Sequence, residues 1–255
     1  MRLIVLSAAV VFRLAAQPAS GDLAKADDAL KAARAAIGAK LSTLQTLSAW
    51  GADTRGYQSS HMALTIDLSG KYLREQTTRS TGGEIQRMGT GGDGAGGGMP
   101  GDDGGPAMIL NLIEGFDGDD YWVRMGMGVG KQSFVNAFAR YVLALTLGPP
   151  SGFPMTFTYG GRMESPRGTM DALEARGPEN FLVHVYLDAD AHLPVTLVYH
   201  ENGHEMQLWL KDYKSEDGIR FPHTLAWLAD GNPVEEFQIQ HMKVNPKLPP
   251  GKFRR

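Results

Sequence analysis

The residues best placed to do chemistry are His200-Glu201-Asn202-Gly203-His204, which match the zinc-protease pattern H-E-x-x-H. On a helix, histidines four apart share one face, so both imidazoles reach one metal and the intervening Glu activates a bound water. The flanking residues predict a different backbone. Asn202-Gly203 is the dipeptide that two-residue hairpin turns favour, it lies between the alternating segments LPVTLVY and EMQLWL, and a glycine inside a helix costs about 1 kcal/mol. The expectation is a hairpin with the histidines flanking its tip. Rings meeting across the two strands, with Glu201 or Glu205 nearby, would hold a metal only adventitiously. A zinc-dependent hydrolase acting through His200, Glu201 and His204 is kept as the minor alternative.

A second motif, Gly126-Met127-Gly128-Val129-Gly130-Lys131-Gln132, follows an expected strand and precedes an expected helix, as a phosphate-binding loop would. Its spacing is one residue short of a P-loop, and Gln132 stands where a magnesium-binding hydroxyl is needed. No G-x-S-x-G elbow occurs, Ser151 being preceded by Pro149-Pro150,. Asp119, Asp120, Glu235 and Glu236 are expected at solvated strand ends or edges. The sequence therefore assigns no catalytic residue, no metal ligand and no cofactor, and leaves the ligand-binding residues open.

These motifs sit on recognisable elements. Leu23, Leu30, Ile37, Leu41, Leu44 and Leu47 predict an amphipathic helix that ends or kinks at Gly38, with a further helical turn leading towards Trp50,. Strands are expected at 61–68, 71–78, 84–88 and 120–125. A helix then carries Phe134, Phe138, Tyr141 and Leu145 on one face and stops at GPPSGFP,. Hairpin strands follow at 155–159, 181–187, 193–200, 204–213, 219–228 and 234–244. Residues 89–106, GTGGDGAGGGMPGDDGGP, hold too few apolar groups to offset the entropy of ordering so many glycines, and predict a disordered surface loop,. Five methionines, at 88, 99, 108, 125 and 127, lie in or around it. The fold class is α+β and mostly β, a curved antiparallel sheet of roughly nine or ten strands wrapping one long N-terminal and one internal helix.

Composition narrows the partners. A formal charge of −3 gives no basic field for nucleic acid. The start, Arg2 followed by an apolar run from Leu3 to Phe12 and then small residues, predicts an export signal over 1–20, with 21–255 as one domain acting in the periplasm or cell envelope,. The apolar run is shorter than the roughly 20 residues a membrane span needs, so contact with membranes is expected to be peripheral at most. With no cysteine there is no disulfide framework, thiol nucleophile or lipid-anchoring Cys,.

The C-terminal part reads LPVTLVY at 193–199, DYKSEDGIRFPH at 212–223, DGNPVEE at 230–236 and KVNPKL at 243–248. It resembles exported bacterial proteins related to the outer-membrane lipoprotein-sorting (Lol) carrier family, most clearly over 181–253, with support from the helix ALKAARAAIGAKL at 29–41. The resemblance implies an incomplete β-barrel closed by helices, whose apolar cavity shelters lipid or lipoprotein acyl chains. Arg74, in KYLREQTT, would sit at the cavity mouth or in a cross-strand pair. The leading expectation is a non-enzymatic periplasmic binder or carrier of an amphiphile. The alternative is an envelope structural or interaction module whose side chains fill its own cavity.

Overall fold

The computed structural model describes residues 23–80, 108–126 and 128–255. The expected export signal, the strand expected at 84–88 and the Gly-rich segment 89–106 lie outside the described residues.

Helix α1 (Leu23–Ile37) forms where the sequence places it. Ala26, Leu30, Ala33 and Ile37 recur at helical spacing and are all buried,. It ends at Gly38, whose φ of 145° and close approach to the Gly218 carbonyl, 2.4 Å from where a Cβ would stand, leave room for no side chain,. A 3-10 turn (Ala39–Thr43) follows.

The chain then departs from expectation. In place of a helical turn reaching Trp50, Thr46–Arg55 is a strand, β1. Its inward positions hold Leu47, Ala49, Gly51 and Asp53. Gly51 is required there, because a Cβ would lie 1.9 Å from the Gln238 carbonyl at a bulge in the neighbouring pair,. Small and charged residues at alternate positions give almost no apolar period, so the leucines before them dominated the sequence signal.

The remaining elements are β2 (Gln58–Asp67), β3 (Lys71–Ser80), β4 (Met108–Phe116), β5 (Tyr121–Arg124), α2 (Lys131–Thr146), β6 (Thr156–Ser165), β7 (Gly168–Arg176), β8 (Leu182–Asp188), β9 (Pro194–Glu201), β10 (His204–Glu216), β11 (Ile219–Ala229) and β12 (Asn232–Val244). Among the described residues, twelve strands make one antiparallel sheet in the order β5-β4-β3-β2-β1-β12-β11-β10-β9-β8-β7-β6, more than the nine or ten expected. Two meanders are joined edge to edge by β1 pairing with β12. The outer strands β5 and β6 do not pair, so the sheet is a curved, unclosed half-barrel,.

Both helices lie against its inner face, α1 on β6 and β11, α2 on β5 and β9. Tyr72 of β3 stacks against Phe134 and Phe138 of α2, with centroids 4.8 and 5.2 Å away,. The helices are tied to each other by Arg34 of α1. Its Nε and Nη2 donate to the Leu147 carbonyl, at 3.0 and 2.5 Å, where α2 ends in a left-handed residue. A cation on this carbonyl satisfies a terminal acceptor and complements the helix dipole. Arg34→Met should therefore lower unfolding stability by about 1–2 kcal/mol, as expected for a lost hydrogen bond from a charged donor. A urea midpoint matching that of the unsubstituted protein would show that this tie contributes nothing.

Candidate functional site

The inward residues of several strands change character along the strand. In β1 they run Leu47, Ala49, Gly51, Asp53 and then, at the tip, Arg55. In β3 they run Tyr72, Arg74 and Gln76, and in β9 Leu197, Tyr199 and Glu201. In β12 they run the other way, from Glu235 at the tip to Phe237 and Ile239. Antiparallel register brings these charged ends to one end of the half-barrel, where the β1–β2, β9–β10 and β11–β12 hairpin tips lie.

α2 packs tightly over the apolar end but leaves a cavity of about 430 Å³ beneath its N-terminal half and against the charged end. That volume lies in the range of roughly 300–1,000 Å³ typical of small-ligand pockets. Its apolar wall is made by Tyr72, Phe134, Tyr141, Leu208 and Trp227. Val129 and Val234 line it while remaining 53% and 39% exposed, which marks the mouth.

Three arginines form the polar wall. Arg55 Nη2 donates to Glu235 Oε1 at 2.9 Å, and its Nε lies 3.6 Å from Asp53. Arg74 pairs with Glu114, directly opposite it across β3 and β4. Glu114 is fully buried and also accepts from Tyr121 Oη at 2.7 Å and the Val129 N–H at 3.2 Å. Arg140 of α2 donates to Glu201 Oε1 at 2.6 Å and stacks 4.0 Å over the Tyr199 ring,. Behind Arg55, the fully buried Asp53 accepts from Ser60 Oγ at 3.1 Å and Gln76 Nε2 at 2.8 Å.

Ionisation follows from burial. It raises the phenol pKa of Tyr72 and Tyr141, and pushes Tyr199 up to about 12, so all three stay neutral hydrogen-bond donors,. Burial works against the Arg74 charge, but Tyr72 and Glu114 beside it raise its pKa above the ordinary value. Burial also raises the Glu235 carboxyl, Arg55 opposes that shift, and Asp53 adds to it. Arg55 Nε, Arg74 Nε and Tyr72 Oη are buried without a hydrogen-bond acceptor. The Tyr141 hydroxyl neighbours Tyr72 Oη but is offset from hydrogen-bond geometry.

His200 and His204 are not on a helix. His200 and Glu201 end β9, His204 begins β10, and Asn202-Gly203 is the turn between them. Glu201 pairs in register with His204, and His200 with Glu205. Adjacent residues of a strand point to opposite faces, so the two imidazoles project to opposite faces of the sheet. The notion that their rings meet across the strands fails, and with it the zinc-hydrolase geometry. Glu201 instead faces the cavity, and His204 Nδ1 lies 2.6 Å from Asp230 Oδ2.

At the start of α2, Lys131 Nζ donates to the Asp119 carbonyl at 2.6 Å and is engaged there. Asp119 and Asp120 are exposed, as expected. Glu235 is not a solvated edge. It lines the cavity with a side chain 17% exposed, while its neighbour Glu236 points to the other face,. Arg74 is in a cross-strand pair, with Glu114 of β4, and its side chain, 11% exposed, lies on the cavity wall and not at the mouth. Arg55, Arg140, Asp53 and Glu114 went unremarked in the sequence.

A half-barrel of antiparallel strands that wraps helices has counterparts of the same fold among solved structures. The chain shares this fold with a LolA superfamily protein from Nitrosomonas europaea at a TM-score of 0.52 and 10% identity, covering 90% of this chain and 97% of the other. It also matches a domain assigned to outer membrane lipoprotein sorting from Vibrio parahaemolyticus at a TM-score of 0.50 and 13% identity, covering 90% and 97%. No protein-family model and no curated protein matches the sequence.

A carboxyl whose pKa is raised by folding stabilises the native state only while protonated, and that contribution is lost as pH rises through the raised value. Glu235→Gln cannot ionise. Its stability relative to the unsubstituted protein should therefore increase as pH is raised from the acid range to neutrality. Denaturation curves that keep the two proteins a constant interval apart across that range would remove Glu235 as a perturbed group.

Proposed function

We propose that this protein is a non-enzymatic binder or carrier of an amphiphile, such as a lipid or a lipoprotein acyl chain, and that it works in the cell envelope after export. One observation carries the reading: a single cavity is lined both by apolar and aromatic side chains, Tyr72, Phe134, Tyr141, Leu208 and Trp227, and by charged ones, Arg55, Arg74, Arg140, Glu201 and Glu235, which suits a molecule that is itself part apolar and part polar. Burying an alkyl chain against Tyr72, Phe134, Tyr141 and Trp227 would contribute about 25 cal/mol per Å² of apolar surface removed from water. The exposed Val129 and Val234 at the mouth give such a chain an apolar threshold.

The fold neighbours agree with this reading, one of them being assigned to lipoprotein sorting. Neither arrangement of the histidines nor the loop before α2 supplies a reacting group, which favours carriage over catalysis. Among the described residues no helix is long and apolar enough to cross a membrane, which suits a protein that meets membranes only at their surface. The alternative, a module that fills its own cavity, has the 430 Å³ space under α2 against it.

Ala137 of α2 lines the cavity with a partly exposed methyl. Ala137→Trp should occupy the space and weaken binding of a fluorescent fatty-acid probe by at least about tenfold, or ~1.4 kcal/mol, with little change in circular dichroism. Equal probe affinity in a folded Ala137→Trp variant would place the ligand elsewhere, and no probe uptake by the unsubstituted protein would refute the proposal.

A further inference from the structure

The amphiphile reading leaves the head group unspecified, and the charged end of the cavity carries an inference that rests on that reading and deepens it. The cavity wall itself presents three guanidinium groups, Arg55, Arg74 and Arg140, against two carboxylates, Glu201 and Glu235. Each wall carboxylate already accepts from an arginine. Glu114 and Asp53 stand behind the wall, fully buried, and take hydrogen bonds of their own. What remains unused is therefore mostly donor capacity. Arg55 Nε, 3.6 Å from Asp53 Oδ2, together with Arg74 Nε and Tyr72 Oη, is buried without a hydrogen-bond acceptor, against one unpartnered acceptor behind the wall, Asp53 Oδ1.

Buried ion pairs contribute little net stability, since desolvation offsets their attraction, and an unsatisfied buried donor is a cost. Apolar residues at these inward positions would make a better core. Guanidinium groups lining a cavity, as Arg55, Arg74 and Arg140 do here, are suited to planar or tetrahedral oxyanions, which they bind by paired, charge-assisted hydrogen bonds,.

We propose that Arg55, Arg74, Arg140 and Tyr72 form an oxyanion site that selects an amphiphile whose head group is a carboxylate or a phosphate. The alkyl chain lies against the aromatic side chains of the same cavity, Phe134, Tyr141 and Trp227. Arg140 completes the site from α2, so the head group would bridge the helix and the sheet.

The test uses the full chain, freed of lipid by solvent extraction and refolded, titrated calorimetrically with four ligands of one chain length: dodecanoate, dodecyl phosphate, dodecanol and dodecyltrimethylammonium. At least one of the two oxyanions should bind about tenfold or more tightly than both dodecanol and the ammonium. Whichever oxyanion binds the better identifies the head group. Arg140→Gln is the first variant, because its partner Glu201 is 31% exposed and can be solvated when left alone. It should erase most of the oxyanion preference, read as the ratio of oxyanion to dodecanol affinity. Glu201→Gln, which frees the Arg140 guanidinium, should move the preference the other way. Dodecanol binding as tightly as both oxyanions, or a preference for the ammonium, would overturn the oxyanion site while leaving amphiphile binding intact. Failure of all four to bind would overturn both.

Discussion

A curved sheet that does not close must cover its own inner face, and this constraint organises the whole molecule. Pairing of β1 with β12 fuses two meanders into one twelve-stranded surface, too wide for its two helices to cover evenly. α1 seals one side with Ala26, Leu30, Ala33 and Ile37, and α2 fills the apolar end with Phe138, Val142 and Leu145. Arg34 clamps the two helices where α2 terminates. The end near the hairpin tips is left open, and the strands meet that opening with charged residues facing inwards.

Those charges are tolerated because each is compensated locally. Glu114 gathers Arg74, Tyr121 and a backbone N–H, while Asp53 takes Ser60 and Gln76 on Oδ2 and keeps Oδ1 without a partner. Burial keeps the tyrosines neutral, and they provide hydrogen-bond donors without adding charge. Such networks add specificity of arrangement more readily than stability. They also give the cavity its mixed lining of aromatic faces and charged donors, with α2 contributing to both through Phe134 and Arg140.

Much of the fold was legible in the sequence. Strands β8 to β12 fall within about two residues of expectation at most ends, within the usual slack of element boundaries, because large apolar residues alternate there and Asn202-Gly203 and Asp230-Gly231 mark the turns. β1, β4 and β7 were illegible for a common reason. Their inward or alternate positions carry Ala49, Gly51 and Asp53, or Glu114, or Asp171, all buried or close-packed, and a charge at an inward position breaks the apolar period. The site was hidden for the same reason. Glu235 and Glu236 look like a solvated pair until the two-residue period sends one inwards. Arg74 and Glu114 lie 40 residues apart in the chain and meet only through the β3–β4 register. A strand that turns from apolar to charged towards its tip, as LSAWGADTR does, was the one available signal.

The central claim is that the space beneath α2 holds an amphiphile. Native mass spectrometry of the protein recovered from its own cell envelope, before and after solvent extraction, tests it most directly. The account predicts a near-stoichiometric adduct that is lost on extraction and appears in the extract as a lipid or acyl-chain species. A protein that arrives without an adduct, and takes none up when lipid vesicles are offered, would contradict it.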